Sequence, residues 1–306
     1  MRAVVTGGAG FIGSNLADRL LMEGHEVVVI DDLESGLKEN VPAGASFAKK
    51  DITSDSLLPE FRGADAIFHF AADPAVRSSA KDPARSFSCN VGGTFRVLEA
   101  CRKAGVKRFV FASTSTVYGD AAAIPTPEGC PCVPISNYAA SKLACEAYAS
   151  SYSHSYGIKS TVLRYANIFG NRSTHGVMFD FFQKLKKDRK RLEILGDGRQ
   201  EKSYLHVSDC VSATMAAFNG QKAVYEIYNA GSAEKRAVAD IARLVCQSLG
   251  VSPKLAYAGG ERGWTGDVRV MLLDISKLRG LGWSAQTGFE QGVKSYMEWL
   301  KGRYGW

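Results

Sequence analysis

A chain of 306 residues, 45% hydrophobic and 23% charged with 31 Gly and 9 Pro, has ordinary globular composition. That excludes a wholly disordered, collagen-like or small disulfide-framework protein, and the length suits one large domain or two coupled ones. The formal charge of +7 favours anionic ligands. No apolar run approaches the ~20 residues that cross a bilayer. The chain opens directly on the strand-like run Arg2-Ala3-Val4-Val5-Thr6, so neither a signal nor a transit peptide is expected.

The first two thirds alternate short β-branched runs with longer helical stretches. Strands are predicted at Ala3–Thr6, Glu26–Asp31, Ser46–Lys50, Ala66–Phe70, Arg108–Ser113 and Lys159–Arg164. Helices are predicted near 11–23, 55–62, 83–104 and 136–155. Near-continuous apolar strands in such alternation argue for a parallel sheet covered on both faces, hence a doubly wound α/β (Rossmann) domain. After Ala166 the rhythm changes: a helix at 177–188, a Gly-Asp-Gly turn at 196–198, a helix at 208–218, a strand at Tyr225–Ala230, a helix at 237–249, a loop through Gly259–Asp267 and a closing helix at 287–301. This suits a smaller mixed α/β C-terminal substrate domain sharing a cleft with the first. The expected division is interleaved: 1–166 and 205–233 bind the dinucleotide, 167–204 and 234–306 bind substrate.

Several features read as structural. The basic run Lys184–Arg191 holds six positive charges around one Asp and no aromatic residue, which favours a solvated helix end over a polyanion patch. Seven dispersed Cys, of which only Cys130 and Cys132 are close, fit reduced thiols in a cytoplasmic protein, with no metal or disulfide required. His69, His154 and His206 lack partners at metal or triad spacing.

Thr6-Gly7-Gly8-Ala9-Gly10-Phe11-Ile12-Gly13 joins the first strand to the first helix. Missing side chains let backbone approach a pyrophosphate, and a helix N-terminus offers free N–H groups and partial positive charge. The second strand ends in Asp31-Asp32, where an acid can accept both ribose hydroxyls of an adenosine and repel a 2′-phosphate, favouring NAD over NADP. Which of the two acids acts is open.

Tyr138-Ala139-Ala140-Ser141-Lys142 follows Ser136, the expected N-cap, and spaces Tyr138 and Lys142 one helical turn apart. An ammonium and a cationic nicotinamide ring both favour phenolate, drawing a pKa that is ordinarily about 10 toward neutrality, where the group serves as a base. Upstream, Ser113, Thr114, Ser115 and Thr116 leave the fifth strand, at the sheet end where open α/β sheets bind ligands.

The ordered set TGGAGFIG, the Asp pair, HFAA, STSTVYG and YAASK resembles the extended short-chain dehydrogenase/reductase family over essentially the whole chain. Within it the chain is most similar to UDP-glucose (UDP-galactose) 4-epimerases and near nucleotide-sugar epimerases. The resemblance implies a Rossmann fold and bound NAD. It also implies reversible 4-epimerisation through a 4-keto sugar, with transient hydride transfer, in galactose metabolism.

By resemblance, Gly7, Gly10 and Gly13, with Phe11 and Ile12 alongside, hold the pyrophosphate. Asp31 or Asp32 binds the adenosine ribose, Asp51 and Ile52 border the adenine, Phe70, Ala71 and Ala72 line the channel, and Asn90 and Ser113 lie near the cofactor. Thr114 bonds the sugar's 4-oxygen, Tyr138 is the base, and Lys142 holds the nicotinamide ribose. A lysine that several bacterial epimerases carry near Pro74 is missing. At the other end, Asn167, Val177 and Lys202 face the diphosphate, Glu193 and Leu195 edge the uracil, Tyr204 lies on the same run, and Arg262 and Asp267 approach the nucleotide ribose and phosphates. Lys202 stands where the family has Arg, keeping charge but losing the fork. Arg262 is displaced by two places, with Trp264 in its usual slot, where that ring either packs on nucleotide or serves as a core residue. Met271 matches a position whose size admits or refuses 2-N-acetyl groups.

Rival activities on this scaffold call for other residues. The 4,6-dehydratases carry Asp-Glu after the catalytic Thr, and UDP-glucuronate decarboxylases carry Glu at the Ser115 position; Ser115-Thr116 stand here. Epimerases of UDP-N-acetylhexosamine or UDP-glucuronate fit the same motifs. A non-catalytic NAD-binding regulator or RNA-associated homologue would typically lack the Tyr–Lys pair. The resemblance also implies a homodimer that pairs helices 83–104 and 136–155 as a four-helix bundle, with no nucleic-acid, membrane or metal partner.

Overall fold

The computed structural model describes the chain except Ala75, Arg262, Trp264, Thr265 and Gly266, and Ser78 beyond its backbone. Arg262 and Trp264, expected near the nucleotide, therefore lie outside the described residues. In chain order the first elements are β1 (Arg2–Thr6), α1 (Phe11–Met22), β2 (Glu26–Asp31), β3 (Ser46–Lys49), α2 (Leu58–Phe61), β4 (Ala66–His69), α3 (Pro83–Ser86), α4 (Gly93–Ala104), β5 (Arg108–Thr114), α5 (Asn137–Tyr156) and β6 (Lys159–Tyr165). There follow β7 (Asn167–Phe169), α6 (Val177–Lys187), β8 (Arg191–Ile194), β9 (Glu201–His206), α7 (Val207–Gly220), β10 (Tyr225–Ala230), β11 (Lys235–Ala237), α8 (Val238–Leu249), β12 (Lys254–Tyr257), β13 (Val270–Met271), α9 (Ser276–Arg279) and α10 (Phe289–Tyr304).

Seven parallel strands form the main sheet in the order β10-β6-β5-β4-β1-β2-β3. Alternate residues feed opposite cores. Val5, Val29, Phe68 and Val110 face Leu16 and Leu20 of α1 and Val211 and Phe218 of α7, whereas Val4, Val28, Ile67 and Phe109 face Val97 and Leu98 of α4 and Cys145 and Ala149 of α5. Both faces are buried, which is why these strands read as continuous apolar runs. Strand order reverses between β1 and β4, and the crevice beyond their C-terminal ends is where such sheets hold ligands.

A smaller layer packs Phe181, Phe182 and Leu185 of α6 against Ile241 and Val245 of α8 and Val293 and Met297 of α10. Its sheet runs β11-β9-β13 with β7 also on β9, and β8 pairs β12. Leu273, Ile275, Leu278 and Trp283 return to the large sheet's core. The segment 234–306 is thus divided between the layers.

One predicted helix is subdivided. Asp82 caps α3 by accepting from the Arg85 N–H at 3.0 Å, a π turn occupies Phe87–Gly92, and α4 continues from Gly93. The helix packs tightly at Gly93, where a Cβ would stand 2.5 Å from Ile52 Cδ1. Helix α5 begins as its sequence dictates: Ser136 is extended and its hydroxyl accepts from the Ala139 N–H at 3.2 Å.

Candidate active site

The glycine turn fills the reversal point of the sheet. Gly7 has φ +69°, and a Cβ there would lie 2.5 Å from the Ala71 amide nitrogen, so the β1 turn abuts the β4 turn with no room for a side chain. A Cβ on Gly13 would lie 2.3 Å from the Gly7 carbonyl oxygen. Phe11 and Ile12 open α1, whose N-cap Gly10 offers no side-chain hydrogen bond to the first-turn amides. These amides and the bare turn fit a pyrophosphate.

Asp31 ends β2 facing this turn. Its Oδ2 accepts from the Ala9 N–H at 3.0 Å and its Oδ1 from Leu33 at 2.9 Å. Burial raises its pKa against the pull of those bonds. Asp32 is exposed and accepts a local bond from the Glu34 N–H at 2.9 Å, so Asp31 is the acid beside the glycine turn. Asp51 turns its Oδ1 onto Thr53 N–H at 2.7 Å. Burial opposes its charge, but the Thr53 bonds prevail and lower its pKa. Ile52 is buried against Gly93. Phe70, Ala71 and Ala72, all half-buried, follow β4, with the Phe70 ring 6.4 Å from that of Tyr165.

Asn90 has a bracing role. Its amide accepts from Asp73 N–H at 2.8 Å and donates to the Asp73 carbonyl at 3.2 Å and to Ser141 Oγ at 2.9 Å. It ties the β4 turn to α5 between Tyr138 and Lys142. Ser113, also expected beside the cofactor, donates its hydroxyl to Glu146 on α5 instead.

The Thr114 side chain lies close enough to the Tyr138 hydroxyl to pull its pKa down against the effect of burial. Thr114 Oγ1 also lies 3.0 Å from Thr116 Oγ1 and accepts from the Thr116 N–H at 3.2 Å. Lys142 is 4% exposed and donates to the Ala112 carbonyl at 2.9 Å. The chain's own electrostatics depart from the sequence expectation here. Burial drives the Tyr138 pKa up and that of Lys142 down, so the protein by itself holds the phenol neutral. Phenolate requires a further positive charge at the site. His69 is structural, as expected: buried between Thr6 Oγ1 at 2.7 Å and Thr94 Oγ1 at 2.9 Å, with its pKa lowered to about 3 by burial.

The loop beyond β7 reaches back over α1. Arg172 pairs with Asp18 at 2.6 Å and the His175 ring stands edge-on to Phe11 at 5.9 Å. Gly176, with φ +88°, then turns the chain into α6 at Val177. Asn167 donates to the Ser203 carbonyl at 3.2 Å. On β9, Lys202 pairs with the buried Asp267 at 2.5 Å, so its ammonium is already engaged. Asp267 also accepts from the Gly263 N–H at 3.1 Å. Tyr204 is buried against Phe289, and Met271 lies opposite Lys202 on β13. Glu193 is exposed on β8 and Leu195 half-buried beyond it.

Sequence reasoning missed three residues. Gln200 is 2% exposed with neither amide atom hydrogen-bonded, on the β9 face of Lys202 and Tyr204. Glu146 and Arg164 form a buried pair under the catalytic residues. An arginine inside an apolar strand and an acid one turn beyond Lys142 were the available signals. Three of the six basic side chains of the Lys184–Arg191 cluster are engaged: Lys184 pairs with Asp180 at 2.8 Å, Lys186 donates to the Tyr304 carbonyl, and Arg189 lies 4.5 Å over Trp306. Among the described residues no helix is long and apolar enough to cross a membrane, and no group of three or more metal-ligating side chains gathers.

A doubly wound sheet with a glycine-lined reversal point, an acid facing the glycine turn and a Tyr/Lys helix beside a strand-end threonine defines an extended short-chain dehydrogenase/reductase. Residues 3–231 match the NAD dependent epimerase/dehydratase family, and the chain belongs to it. It is 35% identical over 317 residues to the UDP-glucose 4-epimerase of Mycolicibacterium smegmatis, covering 99% of each chain. A crystal structure of a UDP-galactose 4-epimerase superposes with TM-score 0.91 at 43% identity, covering 99% of this chain and 100% of that one. The UDP-glucuronic acid 4-epimerase from Bacillus cereus, solved with UDP-glucuronic acid and NAD, gives 0.92 at 28% identity over 99% and 100%. The protein is an NAD-dependent enzyme of the epimerase type.

Proposed function

We propose that the enzyme is a UDP-hexose 4-epimerase interconverting UDP-glucose and UDP-galactose. The observation that carries this is the placing of Tyr138 and the buried Lys142 one turn apart on α5, with Lys142 tied to the end of β5 at Ala112 and Asn90 bracing α5 to the turn that abuts Gly7. In this reading Gly7, Gly10, Gly13 and the α1 amides hold the pyrophosphate, Asp31 the adenosine ribose, and Lys142 the nicotinamide ribose. NAD, when bound, supplies a reversible hydride acceptor and the positive charge that the phenol lacks. Tyr138, relayed by Thr114, takes the proton from the sugar's 4-hydroxyl and later returns it. Asn167, Val177 and Lys202, which Asp267 holds in place, anchor the nucleotide diphosphate, leaving the hexose free to present either face. Binding energy placed in the non-reacting nucleotide leaves the reacting sugar unrestrained.

The protein is further proposed to act in the cytoplasm as a homodimer in galactose metabolism. Its seven cysteines are unpaired. Phe95, Tyr148 and Tyr156 expose 42%, 41% and 50% of their surface on α4 and α5, an aromatic face suited to a second copy. The division into dinucleotide-binding and substrate-binding parts belongs to the same proposal, with 273–283 going to the larger layer.

The test is incubation of purified protein with UDP-glucose, UDP-galactose, their N-acetyl forms and UDP-glucuronate, with chromatography of the products. Interconversion of the hexose pair supports the reading. Turnover of only N-acetylated or uronic substrates replaces it with that epimerase. No turnover of any, with salt-sensitive RNA binding, replaces it with a regulator. Tyr138→Phe is expected to abolish turnover while UDP binding persists; parental rates from that variant refute the role of Tyr138.

A further inference from the structure

Helix α5 is fastened to the last three residues of β5 by three consecutive polar contacts. Lys142 donates to the Ala112 carbonyl at 2.9 Å, Ser113 donates to Glu146, and the Thr114 side chain approaches the Tyr138 hydroxyl. The outer two involve groups already assigned to the chemistry. The middle one rests on an ion pair with no assigned role. Arg164 Nη2 donates to Glu146 Oε2 at 2.6 Å and Nε to Oε1 at 3.0 Å, with the two side chains 4% and 3% exposed.

The pair is fully enclosed by other elements. Arg164 Nη1 donates to the Glu128 carbonyl at 3.1 Å, and its guanidinium lies 4.7 Å over the Tyr118 ring. The Tyr118 hydroxyl in turn donates to Asn229 Oδ1 at 2.8 Å. On β6, Arg164 stands in register with Ser113 of β5. Glu146 lies one turn beyond Lys142 and two beyond Tyr138 on the same helical face.

Removing two charges from water costs about as much as their attraction returns, so a buried pair is poor evidence of stabilisation. It does fix geometry: a planar guanidinium bonded twice to a carboxylate admits little rotation or sliding. We propose that Glu146 and Arg164 are positioning residues that lock the catalytic end of β5 to α5 through Ser113, setting the approach of Thr114 to Tyr138. This rests on the epimerase reading of the site.

Ser113→Ala removes only the strand-side contact, and Glu146→Gln loosens the fork while keeping its shape. Steady-state kinetics and bound NAD are measured for each, for the double variant and for the parent enzyme. Both singles are expected to lower kcat by about 10- to 100-fold, the loss typical of a misplaced reacting group, with KM and NAD content within roughly twofold. The double variant should be no worse than the weaker single, since both break one path. Unchanged kcat in folded Ser113→Ala overturns the proposal. So does lost NAD content with kcat restored by excess NAD, because Ser113 would then contact cofactor. Multiplicative losses in the double variant overturn it as well. If Glu146→Gln does not fold, Ser113→Ala decides alone. A parent enzyme that turns over no UDP-sugar overturns the epimerase reading instead, and the positioning role with it.

Discussion

Replacing Gly7 with Ala combines two separable penalties. The residue has φ +69°, where an L side chain is strained by about 1–2 kcal/mol. Its new Cβ would also stand 2.5 Å from the Ala71 nitrogen and 2.7 Å from the Phe70 carbonyl carbon, both backbone atoms that cannot swing aside. Forcing a methyl into such packing costs about 1–3 kcal/mol more. Gly24 isolates the first penalty: its φ is +79°, yet no atom lies within 4 Å of a Cβ there. Gly7→Ala is therefore expected to lower Tm by roughly 4–20 °C and Gly24→Ala by roughly 2–8 °C, at about 2–4 °C per kcal/mol. Because the strained contact moves Phe70 and Ala71 at the crevice, Gly7→Ala should also weaken NAD, which Gly24→Ala should not. Thermal unfolding followed by circular dichroism, with calorimetric titration of NAD, reads both effects. If the two variants melt together and bind NAD alike, the packing argument fails.

Asp31→Ala should weaken NAD and relax its discrimination against NADP, whereas Asp32→Ala should do little; the reverse order in cofactor titrations would reassign the ribose to Asp32. His69 is held neutral to about pH 3 against an ordinary pKa of 6.5. It therefore contributes stability that is present above pH 6.5 and declines as pH falls toward 3, by at most about 1.4 kcal/mol per unit. In urea unfolding at several pH values, His69→Gln should flatten that slope, and an unchanged slope refutes the assignment. Lys202→Met takes the paired ammonium from a carboxylate 3% exposed. Losses of about 3–5 kcal/mol are typical of breaking such a pair. Lys202→Arg should retain most of the stability and the UDP affinity, and equal loss in both would show that charge at this position is not what matters.

The large sheet was legible because its strands are buried on both faces and its turns carry glycine and acid at positions with a mechanical reason. β2 and β10 match their predicted spans. The three-residue strands β7 and β11 and the two-residue β13 were not legible, since they are too short to show a period and owe their existence to β9. The π turn at Phe87–Gly92 was hidden for a different reason: its sequence is compatible with continuous helix, and the departure is set by tertiary contacts at Asp73 and Ile52. In the site, Gly7, Tyr138 and Lys142 could be located from spacing, and the acid only to within the pair Asp31 and Asp32. The hydroxyl of Ser113 could not, because alternation along a strand gives a side chain's face but not which residue on the neighbouring helix meets it.

The backbone passes from the large sheet to the small one at β7, returns with α7, leaves again at β11 and comes back over 273–283. Excising the first 166 residues would strip Phe218 from Phe68, whose rings lie 5.0 Å apart, and remove β10 from the edge of β6. Such a fragment exposes a bare apolar wall and an unpaired sheet margin, a combination that drives precipitation. Each layer therefore relies on the other to cover its apolar surface, and neither is expected to stay in solution when expressed alone.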